Sequence, residues 1–456
     1  MGQIDLWLGF NLIAYLLVLL AAPSVLLEKR GRPLSAIVWL FAMLFMPVVG
    51  VMAWWLWGRN PLGVVRKRRL KILHYAEAQL ARLRQGVEPR FSQLELLVDG
   101  EQIHRALENE IRNAQHSIHL LFYIWRGDKT GRAFRDLLIE KAKQGVAVRL
   151  LCDRLGSSTL RAGFLFKLKQ AGGHFGWFSP QAFPFLFRIF NARNHRKIVL
   201  IDGKVAFLGS FNIGDEYRYE WHDLGVKIQG DLVDQLQSTF AADWLFSMGE
   251  DLFNDRYFGR SKSESDALIE KGRLQSRCRL IADGPDLWRN STRNALFSAI
   301  NEARSRVWLT TPYFIPDEAV IVAFETAVRR GVDVRLLLPR HSDVPIARLA
   351  SRSYFPELLE AGVRIYEYTP AILHAKAVVL DKQHSMLGSA NLDFRSFRVN
   401  FEVSVIIENP ELNAALAQTF LKDLDQSREL TLHELERRPV WERVMEASAH
   451  LFSPLL

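Results

Sequence analysis

The sequence predicts an α/β protein with two similar domains, preceded by a two-helix transmembrane hairpin. Three observations indicate this: two apolar runs near the N-terminus, alternating strand-like and helix-like segments after them, and a block of sequence that occurs twice. At 456 residues, 49% of them hydrophobic, the chain can bury at least two domain-sized cores. The expected boundaries are a hairpin with a polybasic segment over 1–71, a helical spacer over 72–97, domains over 98–258 and 277–456, and a linker over 259–276.

The N-terminal hairpin is predicted from hydropathy. Residues Ile4–Leu27 are almost wholly apolar, and after the charged turn EKRGRP a second apolar run extends from Leu34 to Trp57. Each run has the roughly 20 residues that a helix needs to cross a bilayer, and the tryptophans near position 55 suit the membrane interface. A cleaved signal peptide is the alternative for the first run, but no basic residues precede it and a second apolar run follows directly.

Charge predicts the orientation and an anionic partner. Six basic residues follow the second apolar run: Arg59, Arg66, Lys67, Arg68, Arg69 and Lys71. Because cytoplasmic flanks carry an excess of Lys and Arg, the rest of the chain is expected to face the cytoplasm. The same cluster suits anionic membrane lipids, and the net charge of +9 alone would also suit nucleic acid. The two cysteines, Cys152 and Cys278, are isolated in the sequence, which argues against a disulfide framework or a zinc site and fits a reducing compartment.

Beyond the hairpin, strand-like and helix-like segments alternate, as in βαβ units. SIHLLFYIW reads as a strand, GRAFRDLLIEKAKQG as a helix and VAVRLLCD as a second strand. The same order returns in SRVWLTTPYF, EAVIVAFETAVRRG and VDVRLLLP. A repeat of this length predicts two similar α/β domains, since solenoid repeats are much shorter.

The repeat is most informative at HRKIVLID, which begins at His195, and HAKAVVLD, which begins at His374. The offset 374 − 195 = 179 continues without a gap to Asn212 and Asn391. On a strand, the His and Lys of each copy, which include Lys197 and Lys376, project from the same face because side chains alternate. A single His on a strand is usually structural, but two His and two Lys in duplicate register predict a catalytic site.

These residue types suit phosphoryl transfer without a metal ion or other cofactor. Two ammonium groups can stabilise the negative charge that concentrates on the phosphate oxygens as a nucleophile attacks. One neutral imidazole can attack phosphorus, while the other, protonated, donates to the leaving alkoxide. The candidate phosphate donors after each motif are Ser210, Asn212, Ser389 and Asn391, although GS after a strand is also ordinary turn chemistry.

Four carboxylates complete the predicted catalytic set. Asp223 and Glu402 also differ by 179 positions (402 − 223), and they are assigned as acids that orient the imidazoles. Asp202 and Asp381 belong to the motif and are counted with it. Each lies seven positions after its His, so on an unbroken strand it points to the other face, and a turn or structural role is favoured over proton transfer.

The paired HxKxxxxD motif, followed by GSxN, resembles the phospholipase D superfamily. With the hairpin, FYIW, TTPYFIP, GSANLDFRSFRVNFE and the terminal FSPLL, the chain is similar over nearly its whole length to bacterial cardiolipin synthases of the membrane-hairpin type. The resemblance implies two mixed-sheet α/β/α domains packed pseudo-symmetrically, in a multi-pass protein of the bacterial inner membrane. It implies transfer of a phosphatidyl group from one phosphatidylglycerol to another, giving cardiolipin and glycerol, with His195 as nucleophile and His374 as general acid.

Three further features suit a lipid substrate. The insert FPFLFRIF carries apolar residues that are expected either to form a lip for acyl chains or to fill a core: Phe183, Phe185, Leu186, Phe187, Ile189 and Phe190. The segment PVWERVMEASAHLFSPLL is expected to form either an interfacial helix or an ordinary docking helix. Arg395 is a candidate ligand for a headgroup or phosphate, with a surface salt bridge as the alternative.

Two other functions use the same motifs. A hydrolytic membrane phospholipase D would release phosphatidic acid, because water instead of a lipid alcohol would reach the intermediate. A membrane-tethered nuclease predicts stacking aromatics along a basic channel, and no such stripe is evident, so nucleic acid is not expected as a partner. The sequence leaves open whether phosphatidylglycerol or phosphatidylethanolamine is the acceptor, and whether the protein is a homo-oligomer.

Overall fold

The computed structural model describes most of the chain in eight segments. These are residues 2–29, 33–58, 62–83, 91–161, 163–178, 192–258, 276–286 and 290–453. The chain divides into two compact units, one of Met1–Arg69 with Pro180–Ala192 and the other of Leu70–Ser179 with Arg193–Leu456.

The N-terminal unit is built from apolar helices that pack on one another. They are α1 (Gly2–Glu28), α2 (Pro33–Phe45), α3 (Pro47–Ala53) and a π-helix (Trp54–Gly58). The Trp54 indole donates a hydrogen bond of 2.7 Å to Ser24 Oγ, and its ring is buried with Val25 and Met43. Within the described residues, one helix is long and apolar enough to cross a membrane, over Gly9–Glu28 of α1.

The second apolar run is not the single continuous helix that hydropathy predicts. It breaks at Met46, whose backbone leaves the helical region with φ −134° and ψ 71°. The cause is Pro47, which cannot donate an amide hydrogen bond and disfavours the helical conformation in the residue before it. Hydropathy does not register this break because every residue around it is apolar.

The predicted helical spacer over 72–97 is wrong in its second part. Helix α4 (Leu62–Leu83) carries most of the polybasic cluster and ends at Leu83, and Ser92–Val98 form strand β1 at the edge of a sheet. The alternation in SQLELLV suits a half-buried edge strand. Most of the predicted linker, residues 259–275, lies outside the described residues, and Ser276 exchanges two backbone hydrogen bonds with Ser92.

The first half of the second unit contains a mixed sheet of seven strands. They are β1, β2 (Ser117–Phe122), β3 (Ala147–Asp153), β4 (His174–Phe178), β5 (Ile198–Ile201), β6 (Val205–Gly209) and β8 (Leu224–Gly230), in the order β1-β8-β6-β5-β2-β3-β4. The β2–β3 and β3–β4 pairs are parallel, as βαβ units require, and the other pairs are antiparallel.

The second half repeats this sheet. Its strands are β9 (Arg277–Asp283), β10 (Arg306–Thr310), β11 (Asp333–Pro339), β12 (Arg364–Tyr368), β14 (Ala377–Leu380), β15 (His384–Gly388), β16 (Glu402–Glu408) and β17 (Ser427–Glu429). The order β9-β16-β15-β14-β10-β11-β12 reproduces that of the first sheet, and β17 extends it at the β12 edge. The predicted duplication into two mixed-sheet α/β domains is confirmed.

Helices cover both sheets. Those of the first half are α5 (Gly100–Asn113), α6 (Lys129–Lys143), α7 (Phe166–Gln170), α8 (Asp215–Tyr219) and α9 (Asp231–Met248). Those of the second half are α10 (Ser291–Glu302), α11 (Glu318–Arg329), α12 (Pro345–Arg352), α13 (Phe355–Glu360), α14 (Phe394–Arg398), α15 (Pro410–Asp425), α16 (Leu432–Glu436) and α17 (Val440–His450). Helix α9 packs on its own sheet and on β9 of the other half, and α15 likewise packs on β1. The two halves are thus related by pseudo-symmetry.

Two matching backbone contacts join the halves beside the motif histidines. Strand β7 (Trp221–His222) pairs in parallel with β13 (Ile372–Leu373), and Asn194 forms an equivalent parallel bridge with Phe401. Through these contacts the amide of His195 donates to Phe401 O and the amide of His374 donates to His222 O, each at 2.9 Å. The interface between the halves therefore fixes the backbone at both histidines.

Candidate active site

The two motif histidines line one pocket between the halves. Its volume is about 340 Å³, and Asn212, Asn391 and Arg395 line it with them. His195 and His374 precede β5 and β14, which are completely buried strands. The apolar residues after each Lys therefore anchor both motifs, and the structure brings together the histidines that the sequence places 179 positions apart (374 − 195).

Each imidazole is held by a carboxylate from the opposite half. His374 Nδ1 donates to Asp223 Oδ1 at 2.7 Å, and His195 Nδ1 lies 3.1 Å from Glu402 Oε2. Both acids are completely buried. Because Nδ1 of each ring faces a carboxylate, Nε2 is the nitrogen that remains to act on a substrate.

Ser210 and Ser389 do not serve as the predicted phosphate donors. Ser210 Oγ donates to Asp223 Oδ1 at 2.5 Å, and Ser389 Oγ donates to Glu402 Oε2 at 2.5 Å. Both serines are completely buried. The prediction that they donate to phosphate is wrong, because each hydroxyl donates its hydrogen bond to the orienting carboxylate beside it. Each serine thus fixes the acid that holds a histidine.

Asn212 and Asn391, the other two predicted phosphate donors, lie in the same pocket as the motif histidines. Both side chains are buried and line the pocket. Asn212 Oδ1 accepts a hydrogen bond from the Ile124 amide at 3.1 Å, which leaves its NH₂ group to act as a donor. Asn391 Oδ1 is buried without a hydrogen-bond partner among the described residues. Both side-chain amides are therefore part of the pocket that the histidines line.

Lys197 and Lys376 are buried and do not line the pocket. Lys197 Nζ donates to His195 O at 2.7 Å, and Lys376 Nζ donates to His374 O at 2.6 Å. Each lysine thus holds the backbone of its own motif histidine. Their positive charges contribute to the electrostatic potential of the site from behind the imidazoles.

Burial and mutual repulsion depress the pKa values of the basic groups. Burial and the charges of both lysines hold the pKa of His195 well below 6.5, and burial and Lys376 lower the pKa of His374. Burial together with the charge of Lys376 also holds the pKa of Lys197 well below its usual range, and burial lowers that of Lys376 to about 8. These shifts disfavour simultaneous protonation of both imidazoles.

The two orienting acids differ in protonation. Burial raises the pKa of Glu402 to about 7. Burial would also raise that of Asp223, but the charge and hydrogen bond of His374 outweigh it and lower the pKa to about 2. The pseudo-symmetric site is thus polarised: His374 lies against an ionised carboxylate, whereas His195 lies against one that is partly protonated near neutral pH.

Aromatic side chains flank both imidazoles. The Tyr123 ring lies 4.8 Å from that of His195, and the Trp221 ring lies 5.1 Å from that of His374, in edge-to-face geometry. Tyr217 and Tyr313 also line the pocket. These residues were not predicted from the sequence, although FYIW and TTPYF contain two of them at the ends of β2 and β10.

Asp202 and Asp381 lie away from the histidines, at the far ends of β5 and β14. The Asp202 carboxylate accepts hydrogen bonds from the amides of residues 115–117 at 2.7–2.8 Å. Asp381 does the same for the amides of residues 304–306 at 2.7–3.1 Å. Both have positive φ, 53° and 48°. Counting them as catalytic is therefore wrong. Each carboxylate instead holds a turn through backbone amides, which is the structural role that their strand positions favour.

Arg395, the predicted headgroup or phosphate ligand, lines the pocket, and Arg193 lines it as well. Arg193 Nη1 donates to the Tyr123 hydroxyl at 2.6 Å. Arg193 was missed, although it lies only two residues before His195 in the segment that leads into β5.

Two groups of charged residues beside the histidines were also missed. Arg196 makes two hydrogen bonds to Asp243, at 2.9 and 2.7 Å, and donates to Glu402 O. His222 lies between Asp99, at 2.5 Å, and Asp423, at 3.0 Å. Arg196 and His222 have no equivalents in the other copy of the repeat, where Ala375 and Phe401 occupy the corresponding positions. This difference between the copies is the sequence signal that could have identified them.

The predicted acyl-chain lip lies outside the described residues. This holds for Phe183–Phe190, which belong to the segment 179–191. Within the described residues, His, Cys, Asp and Glu side chains do not gather in a group of three or more that could hold a metal ion.

Comparison with known families identifies the chain. A family model described as "Cardiolipin synthase, PLD-like domain" matches residues 107–244 and 296–424, and one described as "Phospholipase D-nuclease N-terminal" matches residues 12–59. The chain belongs to the cardiolipin synthase family. It is accordingly an enzyme of the phosphatidyltransferase type, and the family and the N-terminal apolar helix associate it with membranes.

Individual relatives agree with this assignment over nearly the whole chain. The cardiolipin synthase of Geobacillus thermodenitrificans (strain NG80-2) is 36% identical, over 99% of this chain and 96% of its own length. That of Alkalihalophilus pseudofirmus is 34% identical, over 100% and 96%. Among solved structures, the phosphatidylserine synthase of Haemophilus influenzae Rd KW20 shares the fold with a TM-score of 0.62 at 16% identity, covering 84% of this chain and all of its own.

Proposed function

We propose that the enzyme makes cardiolipin from two phosphatidylglycerol molecules through a phosphatidyl-histidine intermediate on His195. One observation carries this proposal. Two imidazoles from different halves face one pocket of about 340 Å³, and each has its Nδ1 against a buried carboxylate. Both Nε2 atoms can therefore act on the same phosphorus, from the two sides that an in-line displacement requires.

The first step forms the intermediate. His195 Nε2 attacks the phosphorus of the donor lipid, and the bond from phosphorus to the headgroup glycerol oxygen breaks. His374 gives its Nε2 proton to that oxygen, so glycerol leaves as a neutral alcohol. The phosphatidyl group is then bonded to His195, and His374 is neutral.

The second step reverses these roles with a different alcohol. The terminal hydroxyl of a second phosphatidylglycerol gives its proton to His374 Nε2, and its oxygen attacks phosphorus. The bond between phosphorus and His195 Nε2 breaks, which releases cardiolipin. Both histidines return to their starting protonation states, so the cycle is balanced.

Electrostatics support this division of roles. The pKa of His195 lies well below 6.5 through burial and the neighbouring lysines, which keeps the nucleophile neutral. His374 contacts Asp223, whose pKa is about 2, so an ionised partner stabilises its protonated form. An anionic phosphodiester in the pocket adds a further negative charge and raises the pKa of His374 when substrate binds.

Charge that develops on the phosphate is stabilised by groups that are already in place. The side-chain amides of Asn212 and Asn391 line the pocket and can donate to the equatorial oxygens. The buried ammonium groups of Lys197 and Lys376 add positive potential from behind each histidine. Because these groups are fixed by the fold, little reorganisation is needed as the reaction proceeds.

The membrane arrangement is also part of the proposal. The two N-terminal apolar runs cross the bilayer twice, and the polybasic cluster on α4 keeps the catalytic halves on the cytoplasmic side. Helix α17 and the two residues that follow it present exposed apolar side chains that rest on the membrane surface; these are Val440, Trp441, Val444, Met445, Leu451 and Phe452. The opposite face of α17 packs on α12, which contributes Ala347 to the pocket.

A product assay tests the function directly. Purified full-length enzyme is incubated with phosphatidylglycerol in detergent micelles, with and without a chelator. We expect equal amounts of cardiolipin and glycerol in both conditions. Phosphatidic acid as the sole lipid product would support the hydrolase instead, and loss of activity with the chelator would contradict the metal-free mechanism.

Histidine variants provide the controls for this assay. We expect His195→Ala and His374→Ala each to lower turnover roughly 1,000-fold or more. His384→Ala is a matched control, because His384 is an exposed residue at the start of β15 that does not line the pocket.

A further inference from the structure

We infer that Arg193 and Arg395 form a second phosphate site, which binds the phosphate of the acceptor lipid while the donor phosphate lies between the histidines. This inference rests on the proposed function and extends it to the choice of acceptor. Both arginines line the same pocket as His195 and His374.

Arg193 is held beside the nucleophile. Its Nη1 donates a hydrogen bond of 2.6 Å to the Tyr123 hydroxyl, and the Tyr123 ring lies 4.8 Å from the ring of His195. One aromatic side chain therefore separates this guanidinium from the histidine that is to carry the phosphatidyl group. Arg193 Nε is buried and has no hydrogen-bond partner among the described residues.

Arg395 brings a second guanidinium to the same part of the pocket. It lies in the first turn of α14, and its Nη2 is 3.5 Å from Asn400 Oδ1. Burial lowers the pKa of Arg395, and the positive charge of Arg193 lowers it further. Burial raises the pKa of the Tyr123 hydroxyl, and both arginines oppose that rise. The two cations thus act on each other and on one phenol.

Two cations in a largely buried wall favour an anionic ligand. Like charges at short range repel more strongly where water is partly excluded. A phosphate offers several acceptor oxygens, and guanidinium groups bind such oxygens in paired, charge-assisted hydrogen bonds. Two carboxylates also line the pocket. Asp343 accepts 2.7 and 2.8 Å hydrogen bonds from the Tyr313 hydroxyl, and Asp393, whose pKa burial raises to about 6, offsets only part of the positive charge of the two arginines.

The chemistry of the reaction explains why a second phosphate must be bound. Phosphatidylglycerol as donor has one phosphate, and that phosphate reacts between the histidines. The acceptor has its own phosphate, which is joined to the attacking hydroxyl through one glycerol. A basic site one side chain away from His195 is therefore suited to the acceptor phosphate, and it would favour phosphatidylglycerol over water or a neutral alcohol.

Competition between acceptors tests this inference. The full-length enzyme in phosphatidylglycerol micelles is given labelled glycerol, which is the acceptor headgroup without its phosphate. Cardiolipin formation and label incorporation into phosphatidylglycerol are measured together. In Arg193→Gln and Arg395→Gln, we expect the ratio of cardiolipin to labelled lipid to fall about tenfold or more. The Lys variants keep the charge but lose the paired geometry, so their ratios should be intermediate.

The ratio is chosen because it is set after the intermediate forms. It does not depend on the fraction of enzyme that is folded or on donor binding. Glycerol phosphate in place of glycerol separates recognition of phosphate from recognition of lipid: the wild type should prefer it to glycerol, and the Gln variants should lose that preference. Arg277→Gln, at an exposed position on β9, controls for the loss of one positive charge.

The possible results separate failure of the second phosphate site from failure of the proposed function. An unchanged ratio in the Gln variants, with both products falling together, would overturn the second phosphate site and leave the proposed function intact. Equal use of glycerol and glycerol phosphate by the wild type would show that the site does not recognise phosphate, and would also overturn it. A wild type that forms only phosphatidic acid would overturn the proposed function, and the acceptor site with it.

Discussion

His374 Nδ1 donates to Asp223 Oδ1 at 2.7 Å, although the two residues belong to different halves of a duplicated chain. The equivalent pair, His195 and Glu402, also crosses between the halves. Each half therefore supplies one imidazole and the carboxylate for the other imidazole. Neither motif histidine is paired with an orienting carboxylate of its own half, so docking of the two halves assembles the site.

The crossed pairing predicts which residues are energetically coupled. We expect Asp223→Asn and Glu402→Gln each to lower kcat about 100-fold, because the imidazole loses its orienting carboxylate and the amide can no longer fix its tautomer. In double-mutant cycles on thermal stability, Asp223→Asn should couple to His374→Gln by about 1 kcal/mol and should be additive with His195→Gln. Coupling of Asp223 to His195 in place of His374 would contradict the crossed arrangement.

A second prediction concerns the alkaline limb of the pH profile. Burial lowers the pKa of Lys376 to about 8, so its ammonium charge is present below that pH and is lost above it. If this charge stabilises the transition state, kcat falls as the pH rises through about 8. Arg stays protonated throughout this range, so the residual activity of Lys376→Arg should lack the limb. The same limb in that variant would assign it to another group.

The third prediction concerns His222, which lies between two carboxylates at the contact between the halves. Burial opposes its protonation, but hydrogen bonds to Asp423 and Asp99 outweigh burial and raise its pKa from 6.5 to about 10. The resulting stabilisation is fully present below pH 6.5 and is lost as the pH rises through about 10. We expect His222→Gln to lower the free energy of unfolding by about 2 kcal/mol at pH 7, since Asp99 is exposed and contributes less than a buried partner.

Thermal unfolding across pH provides the measurement for His222. The difference between the wild type and His222→Gln should shrink above pH 10, where the wild-type imidazole has lost its charge. A difference that stays constant across that range would mean that packing of the ring, and not its charge, stabilises the interface.

A fourth prediction tests the membrane role of α17. Trp441 and Val444 are 61% and 57% exposed. We expect Trp441→Glu with Val444→Glu to lower activity on phosphatidylglycerol vesicles about tenfold, because charged groups would have to enter the interface. Activity on a monomeric short-chain phosphatidylglycerol should stay at the wild-type level. An equal loss on both substrates would indicate a folding defect and contradict membrane docking.

Sequence patterns predicted the residue types of the site well. The uninterrupted offset of 179 identified both histidines, both lysines, both pocket asparagines and both orienting acids. It could not show which acid serves which histidine. The separations 223 − 195 and 402 − 374 are both 28, so pairing within a half and pairing across halves satisfy the same pattern. Only packing of the two sheets decides between them.

The wrong predictions have specific physical causes. Ser210 and Ser389 follow strands that lie beside the strands of the orienting acids, and cross-strand contacts of this kind are not visible in sequence spacing. Pro47 divides an apolar run whose average hydropathy is unaffected by the break. Arg196 and His222 were overlooked because they lack equivalents in the other copy, and a search for matched residues discards what breaks the symmetry.

The most direct test of the account is to find the covalent intermediate. The wild-type enzyme is mixed rapidly with phosphatidylglycerol, quenched under conditions that preserve phosphohistidine, and digested for mass spectrometry. We expect a peptide that contains His195 with one phosphatidyl group attached, and we expect it to disappear when excess acceptor lipid is added before the quench. An adduct on His374, or turnover without any adduct in His195 peptides, would contradict it.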